Sequence, residues 1–217
     1  AWTPGRYGAE AVVDVLLGAY NPAGRLPVSI ARNAGQIPVY YSHDRGSSYH
    51  AGESIGFQDY ADGPHKPRYC FGHGLSYSDV VYESMSIEQK EVAPFESWKI
   101  NVTVKNDSNM DGEEVVQLYM SDEYASMTRP VKELVGFKRV KIKSGERVTV
   151  QFEVAPSQMA FLDADMRWKI EKGSFIVQAA ASSEDVKLED RLQVKEHAFV
   201  DGARRSFYAK AEVEVES

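Results

Sequence analysis

The sequence predicts a mainly β protein, an antiparallel β-sandwich of about seven strands preceded by a terminal fragment of an α/β sandwich domain. Two observations carry this prediction. Residues 4–30 combine one helical repeat with one short alternating run. From Tyr77 onward, apolar residues recur at every second position and polar turns separate the runs, which is typical of strands with one buried face.

The first element is a helix predicted from Pro4 to Leu17. Small or apolar residues form one helical stripe at positions 8, 11, 12, 15 and 16. Thr3 is placed to cap this helix and Pro4 suits its first turn, where no amide donor is needed. Gly18 suits the left-handed position just past its end.

A turn at residues 21–24 is followed by Leu26, Val28 and Ile30, whose alternation predicts a short strand. One helix and one strand cannot bury their apolar faces alone. We therefore expect residues 1–35 to be the last helix–strand unit of a layered α/β domain.

Residues 36–77 show no sustained period and place tyrosines among glycines and prolines. They are predicted to form a long linking loop and a hinge. Loops of this length are usually functional or packed on a neighbour. A covering loop that ties two domains together and a loop that contacts substrate are both compatible with this composition.

Residues 78–190 are predicted to form the sandwich. In the clearest strand, Trp98, Ile100, Val102 and Val104 share one face and polar residues share the other. The same alternation recurs in residues 116–120, 148–154 and 175–179. Turn signals separate the runs at residues 106–112, 144–146 and 172–173.

A C-terminal extension, residues 191–217, ends in one more alternating run. Its apolar members are Phe207, Ala209, Ala211, Val213 and Val215. The run predicts a strand whose acidic face is solvated and whose apolar face covers a sheet edge or a partner chain.

Composition and net charge argue against several classes of function. A net charge of -7 argues against nucleic-acid binding, and no apolar run approaches the roughly 18 to 20 residues of a membrane span. A single cysteine, Cys70, excludes an internal disulfide. The five histidines show no metal-ligand spacing, and the glycines at 72 and 74 lack the helix and lysine of a phosphate loop. We predict no metal and no cofactor.

Three blocks of the sequence resemble the C-terminal half of glycoside hydrolase family 3, in the order that family shows. Residues 2–27 contain WTPGRYG, VLLG and NPAGRLP, and residues 71–77 read FGHGLSY. The second block is similar to the family's FGYGLSYT hinge, with His73 in place of tyrosine and Ser78 in place of threonine. Residues 112–146 contain GEEVVQLY and RPVKELVGF, followed by Gly145 and Glu146.

The resemblance implies a fibronectin type III-like, immunoglobulin-like sandwich in a retaining β-glucosidase or β-xylosidase that hydrolyses β-glucosides or related oligosaccharides. Such chemistry needs two carboxylates about 5–5.5 Å apart. In the family these lie in an N-terminal barrel and in the upstream part of the α/β domain, and neither motif matches this sequence. The resemblance therefore implies no catalytic residue in this chain, an inactive isolated chain, and the barrel and α/β domain as its partners.

Acidic pairs that could imitate a catalytic site lie at predicted turns or strand ends. They are Asp111 with Glu113, Asp122 with Glu123, and Asp163 with Asp165. Solvated carboxylates are common at such positions, so we expect these pairs to be structural. Glu53, Asp59 and Asp62 lie in the linking loop without a recognisable partner.

Substrate contact by this chain is predicted only for the linking loop. The family's architecture implies that segments leaving the α/β domain reach the rim of the sugar site, where aromatic rings pack on pyranose rings. Tyr49, Phe57 and Tyr60 are the candidates. Two alternatives to this scaffold-and-rim function stay open: a stand-alone carbohydrate-binding or protein-interaction sandwich, and a homodimer in which the terminal strand completes a partner's sheet.

Overall fold

The computed structural model describes residues 3–44, 64 and 66–215. Its α-helix α1 spans Gly8–Leu16, so the predicted start at Pro4 and the cap by Thr3 are wrong. The helix is capped at Tyr7 without a side-chain hydrogen bond. The cause is Gly5, whose φ of 68° is left-handed and turns the chain before the helix can begin. Gly18 has φ 77°, as predicted for the position past the helix end.

The strand predicted at Leu26–Ile30 is also wrong, because this stretch forms only an isolated bridge between Ile30 and Tyr69. Further backbone bonds join it to the hinge: the amide of Leu26 donates to His73 (2.9 Å), and the amide of Gly72 donates to Leu26 (2.8 Å). Pro27 has no amide to donate, which interrupts a regular ladder.

The described residues contain twelve strands, more than the seven or so predicted, and most of them lie in two sheets. The first sheet has the order β1-β3-β6-β12, and the second has the order β2-β10-β9-β4-β5. A small third sheet has the order β11-β8-β7. The strands are β1 Val80–Ile87, β2 Glu91–Val92, β3 Trp98–Asn106, β4 Gly112–Asp122, β5 Glu133–Ile142, β6 Arg147–Val154, β7 Phe161–Leu162, β8 Trp168–Ile170, β9 Gly173–Ser182, β10 Asp185–Val194, β11 Ala198–Phe199 and β12 Lys210–Val215.

The two larger sheets pack face to face around one core, which confirms the predicted mainly β sandwich. Strands β3 and β6 pair antiparallel, so that Ile100 lies opposite Phe152 and Val102 lies opposite Val150. All four side chains are fully buried. Each such residue contributes about 1.5–3 kcal/mol through the apolar surface removed from water.

The terminal alternating run forms strand β12, as predicted, but its apolar face is not covered, since Val213 and Val215 are 40% and 58% exposed. It pairs antiparallel with β6, and so covers the edge of the first sheet. Just before it, the amide of Ala209 donates to Val135 of β5 (2.9 Å), and Lys138 Nζ donates to the Ala211 carbonyl (3.1 Å). The C-terminal extension therefore joins the two sheets at this side.

Strand β4 differs from the others because it is covered on both faces. Val116, Leu118 and Met120 belong to the sandwich core, and the intervening Gln117 and Tyr119 are also buried. The residues that cover this outer face of β4 lie outside the sandwich. Over the described ranges, no helix is long and apolar enough to cross a membrane.

Candidate functional site between the N-terminal segment and the sandwich

The cover on the outer face of β4 is the N-terminal segment, defined as residues 3–44 together with 66–78. We call its contact surface with the sandwich the seam. At one end of the seam Asn21 forms bonds with both halves of its amide, and its bond to the Asp111 carbonyl is the one of these four that reaches the sandwich. Its Nδ2 donates to Ser78 Oγ (2.7 Å) and to the Asp111 carbonyl (3.1 Å). Its Oδ1 accepts from the Tyr77 amide (2.9 Å) and from Ser76 Oγ (3.0 Å).

A buried ion pair lies next to Asn21 in the seam. Arg25 Nη2 donates to both oxygens of Glu114, at 2.8 and 2.6 Å, and the two side chains are 11% and 6% exposed. The Tyr82 hydroxyl lies 3.2 Å from Glu114 Oε1 and 3.1 Å from the Ala180 carbonyl. Burial raises the pKa of Glu114, an effect that the Arg25 charge opposes. Removing either side chain would leave polar groups of the other buried without hydrogen-bond partners, which is strongly destabilising.

Further along the seam, Gln117 holds the hinge. Its Nε2 donates to the carbonyls of Gly72 (3.2 Å) and Ala181 (2.7 Å), while its Oε1 accepts from the Tyr119 hydroxyl (2.7 Å). Gly72 has φ 78°, and a Cβ atom there would lie 2.1 Å from Gln117 Oε1. The hinge therefore requires glycine at this position, both for its conformation and for the close approach.

An aromatic stack completes the seam. The rings of Tyr41 and Phe71 are stacked with centroids 4.3 Å apart, and Tyr41 meets Tyr119 edge to face at 5.8 Å. The Leu134 amide donates to the Tyr41 hydroxyl (3.2 Å). Burial of Tyr41 and Tyr119 raises the pKa of both phenols. These contacts hold the segment on the sandwich by packing as well as by hydrogen bonds.

Helix α1 points its apolar stripe away from the seam. Of its residues only Gly8 is buried, while Tyr7 and Leu16 are 68% and 73% exposed. A shallow depression of about 410 Å³ follows the stripe between Pro4 and Leu16. A helix with such a face normally packs against other elements of its own domain.

The acidic pairs noted in the sequence have structural partners. Arg139 pairs with Glu113, and Arg191 pairs with Glu123 (3.3 Å). Asp111 accepts the Ser144 amide, Asp163 and Asp165 both pair with Arg167, and Asp122 is buried at the end of β4. Glu53, Asp59 and Asp62 lie outside the described residues.

The described residues form no metal site, and the cysteine has a hydrogen-bond partner. Among residues 3–44, 64 and 66–215, no three His, Cys, Asp or Glu side chains are grouped so as to hold a metal ion. Cys70 is a free, half-buried thiol whose Sγ donates to Ser182 Oγ (3.3 Å). The rim candidates Tyr49, Phe57 and Tyr60 lie outside the described residues, so their role stays a prediction.

The polar residues of the seam were not selected from the sequence as site residues. Asn21 and Arg25 lie close together in the sequence, but both are about 90 positions from Glu114 and Gln117. One signal does exist for Glu114. It falls on the same alternating positions as Val116, Leu118 and Met120 of β4, and a charge at a core-facing position requires a buried partner.

Comparisons with known proteins identify these two parts of the chain. Residues 1–77 match the glycosyl hydrolase family 3 C-terminal domain, and residues 114–183 match the fibronectin type III-like domain. Together the two matches cover more than half of the chain.

The chain is also similar to proteins named as a β-glucosidase and a putative β-xylosidase. The "Periplasmic beta-glucosidase" of Salmonella typhimurium is 38% identical over 86% of this chain and 25% of its own length. The "Putative beta-xylosidase" of Formosa agariphila is 34% identical over 86% of this chain and 24% of its own length. The solved β-glucosidase of Listeria innocua in complex with glucose has a TM-score of 0.81 at 38% identity, over 89% of this chain and 27% of its own.

The chain thus spans about a quarter of the length of the relatives that it matches. The seam lies where the two matched domains meet, and the exposed stripe of α1 lies in the part that matches the C-terminal domain. The chain belongs to glycoside hydrolase family 3, and its two parts correspond to the C-terminal domain of that family and to a fibronectin type III-like domain.

Proposed function

We propose that this chain is the non-catalytic C-terminal portion of a retaining β-glycosidase, and that the complete enzyme hydrolyses β-glucosides or related oligosaccharides. The observation that carries the proposal is the seam. A buried ion pair, the bond from Asn21 to the Asp111 carbonyl and the edge-to-face contact of Tyr41 with Tyr119 fix the end of one domain to the next. Such a joint suits a scaffold that holds its neighbour in one orientation.

In the complete enzyme, the apolar stripe of α1 packs on the rest of the α/β domain. The stripe is exposed between Tyr7 and Leu16, and covering it removes apolar surface from water. The sandwich then holds the α/β domain from one side, while the N-terminal barrel and the upstream α/β residues supply both catalytic carboxylates.

The linking loop extends this scaffold toward the substrate. We propose that Tyr49, Phe57 and Tyr60 form part of the active-site rim, where their rings pack on sugar units. Alanine at all three positions in the complete enzyme should then weaken the apparent affinity for oligosaccharides. An unchanged affinity would remove the rim from the proposal.

Activity assays test the main proposal. The purified chain, incubated with chromogenic β-glucoside and β-xyloside, should show no turnover, because it holds neither catalytic carboxylate. A chimera in which this chain replaces the matching C-terminal quarter of the Salmonella relative should be active. Turnover by the isolated chain would contradict the proposal and indicate that one of its acidic groups is a catalytic centre.

The homodimer is a separate prediction for the same chain. Strand β12 pairs with β6 of its own chain, so only its outer edge is left to meet a partner's strand. The size-exclusion mass of the chain, with and without residues 197–217, tests this edge. If both forms elute with the mass of a monomer, the homodimer prediction is wrong.

A further inference from the structure

The C-terminal extension carries one arginine that is held between two aromatic rings. The guanidinium carbon of Arg205 lies 4.0 Å from the ring centroid of Trp168 and 5.2 Å from that of Phe207. Just before it, Gly202 approaches Trp168 so closely that a Cβ atom would overlap the indole ring. The extension is therefore packed tightly against β8 at this point.

Arg205 is held by these rings more than by hydrogen bonds. Its Nη2 reaches the Gln158 carbonyl at 3.5 Å, which is a long bond, and its Nε is buried and has no partner in the described part of the chain. Burial lowers the pKa of Arg205, and the nearby charges of Glu133 and Arg129 act on it in opposite directions. A cation on an aromatic face contributes more when it is desolvated, as it is here.

A short 3₁₀ helix, Pro156–Met159, is bonded both to the C-terminal extension and to the connection between strands β4 and β5. From the extension, the Ser206 amide donates to the Ser157 hydroxyl (3.2 Å). From the connection, Arg129 Nη1 donates to the Met159 carbonyl (2.9 Å). Arg129 is almost fully buried, so the 3₁₀ helix fixes its position.

The connection between β4 and β5 in turn binds the linking loop. The Val131 amide donates to the His43 carbonyl (2.9 Å). The Leu134 amide, at the start of β5, donates to the Tyr41 hydroxyl (3.2 Å). A run of direct contacts thus leads from the C-terminal extension, through the 3₁₀ helix and the connection, to the linking loop.

We propose that Arg205 is a positioning residue for the linking loop. Stacked on its two rings, it holds the 3₁₀ helix in place, and this helix holds Arg129 and the connection where the Val131 and Leu134 amides meet the loop. The C-terminal extension then controls the attachment of a loop that lies far from it in the sequence. The inference goes beyond the proposed function and needs neither substrate nor catalysis. Its failure would leave the activity assays unaffected, so the two failures are distinguishable.

Amide exchange in the purified chain tests this role residue by residue. The Val131 and Leu134 amides, which we call the reporter amides, measure the attachment of the linking loop. The Ala209 amide, which donates to the Val135 carbonyl (2.9 Å), measures the extension, and the β3 amides measure the core. In Arg205→Ala, protection of the reporter amides should fall about tenfold more than that of the β3 amides, a change that a desolvated stacked cation can provide.

Two further variants sharpen the test. Arg204→Ala is the matched control, since Arg204 precedes Arg205 but is 89% exposed and pairs with Asp201 at 3.8 Å. It should change protection of the reporter amides less than about twofold. Phe207→Ala removes one ring face and leaves Trp168, so the loss should be about threefold. This milder variant keeps the proposal testable if Arg205→Ala does not fold.

The route through Arg129 has its own test. Arg129→Met keeps a buried stem and removes the donors to Met159 and Glu133. If Arg205 acts through Arg129, adding Arg205→Ala to Arg129→Met should lower protection of the reporter amides by less than about twofold, because coupled residues are not additive.

Four results would overturn the proposal. The first is a loss of protection at Ala209 with unchanged reporter amides, since Arg205 would then hold only its own segment. The second is an equal loss at the reporter amides in Arg204→Ala. The third is an equal loss at the β3 amides, which would make Arg205 a general stabiliser of the sandwich. The fourth is a full tenfold loss from Arg205→Ala in the Arg129→Met background, which would remove the route to the linking loop.

Discussion

In the sandwich the core-facing side chains are fully buried between two sheets, whereas in the N-terminal segment helix α1 exposes most of its apolar residues. The sandwich is stabilised by its own core, in which Trp98, Phe152 and Phe175 are almost completely covered. The segment is held at the seam by polar contacts and by the packing of Tyr41 on Tyr119. The comparison indicates that the sandwich can fold alone, while the segment needs the sandwich on one side and the rest of its domain on the other.

The largest expected difference between the two regions is in the cost of shortening an apolar side chain. Phe152→Ala should lower the free energy of unfolding by about 3–5 kcal/mol, through lost burial and a cavity. Leu16→Ala in α1 should change it by less than about 0.5 kcal/mol, because Leu16 is 73% exposed. Urea unfolding followed by tryptophan fluorescence measures both. Equal costs would mean that α1 packs on another surface and that the comparison is wrong.

At the seam itself, the ion pair of Arg25 and Glu114 should matter far more than a neighbouring exposed pair. Glu114→Gln replaces one of the two carboxylate acceptors of Arg25 by an amide NH2 that cannot accept a hydrogen bond, which should cost about 3 kcal/mol. Glu113→Gln is the matched control, since Glu113 precedes Glu114 in β4 and binds the half-exposed Arg139. Exposed pairs of this kind contribute less than about 1 kcal/mol.

Amide exchange provides the readout for the seam. The Gly72 and Leu26 amides are bonded within the N-terminal segment, and their protection should fall more than 100-fold in Glu114→Gln, because each 1.4 kcal/mol is a factor of ten. In Glu113→Gln it should fall less than tenfold. If core amides of β3 lost protection equally, the seam and the sandwich would be one cooperative unit rather than two regions.

The difference between the sandwich and the N-terminal segment also explains which elements the sequence could predict. The alternation of Trp98 to Val104 placed strand β3, because a strand with one buried face imposes a period of two. The two- and three-residue strands β7, β8 and β11 are too short to show a period. Their pairing depends on neighbours such as Trp168 and Ile170, which only the tertiary fold brings opposite Leu162 and Ala198.

The N-terminal segment was less predictable for two physical reasons. The helical stripe was visible, but the helix begins four residues later than predicted, because the left-handed Gly5 outweighs the cap and proline signals of Thr3 and Pro4. The seam contacts of Asn21 and Arg25 join residues about 90 positions apart. No local pattern encodes such pairs, although Asn21 and Arg25 belong to the block NPAGRLP on which the family resemblance rests.

The smallest expected effects concern pH, and they have opposite signs in the two regions. Glu171 in the sandwich is buried, which by itself raises its pKa. Hydrogen bonds from Lys169 (2.6 Å) and from the Ser126 hydroxyl (2.7 Å) and amide (2.8 Å) outweigh burial, and its pKa is lowered from 4.5 to about 2. Its stabilising contribution is therefore complete above pH 4.5 and is lost as the pH falls toward 2.

Glu114 at the seam behaves in the opposite way. Because burial raises its pKa above 4.5 despite Arg25, the folded chain keeps a proton there that the unfolded chain has already released. Its contribution is complete below pH 4.5 and is lost as the pH rises through the raised value. Each group can change the free energy of unfolding by at most about 1.4 kcal/mol per pH unit.

Urea unfolding between pH 2.5 and 7 separates the two carboxylates. Glu171→Gln should reduce the loss of stability below pH 4.5, whereas Glu114→Gln should reduce the loss above pH 4.5 while lowering the overall stability. The two pH ranges in which stability is lost do not overlap, because the pKa of Glu171 lies below the ordinary value and that of Glu114 lies above it. If both variants altered the same window, the two carboxylates would share one environment, and the difference between a hydrogen-bonded carboxylate in the sandwich and a desolvated one in the seam would not hold.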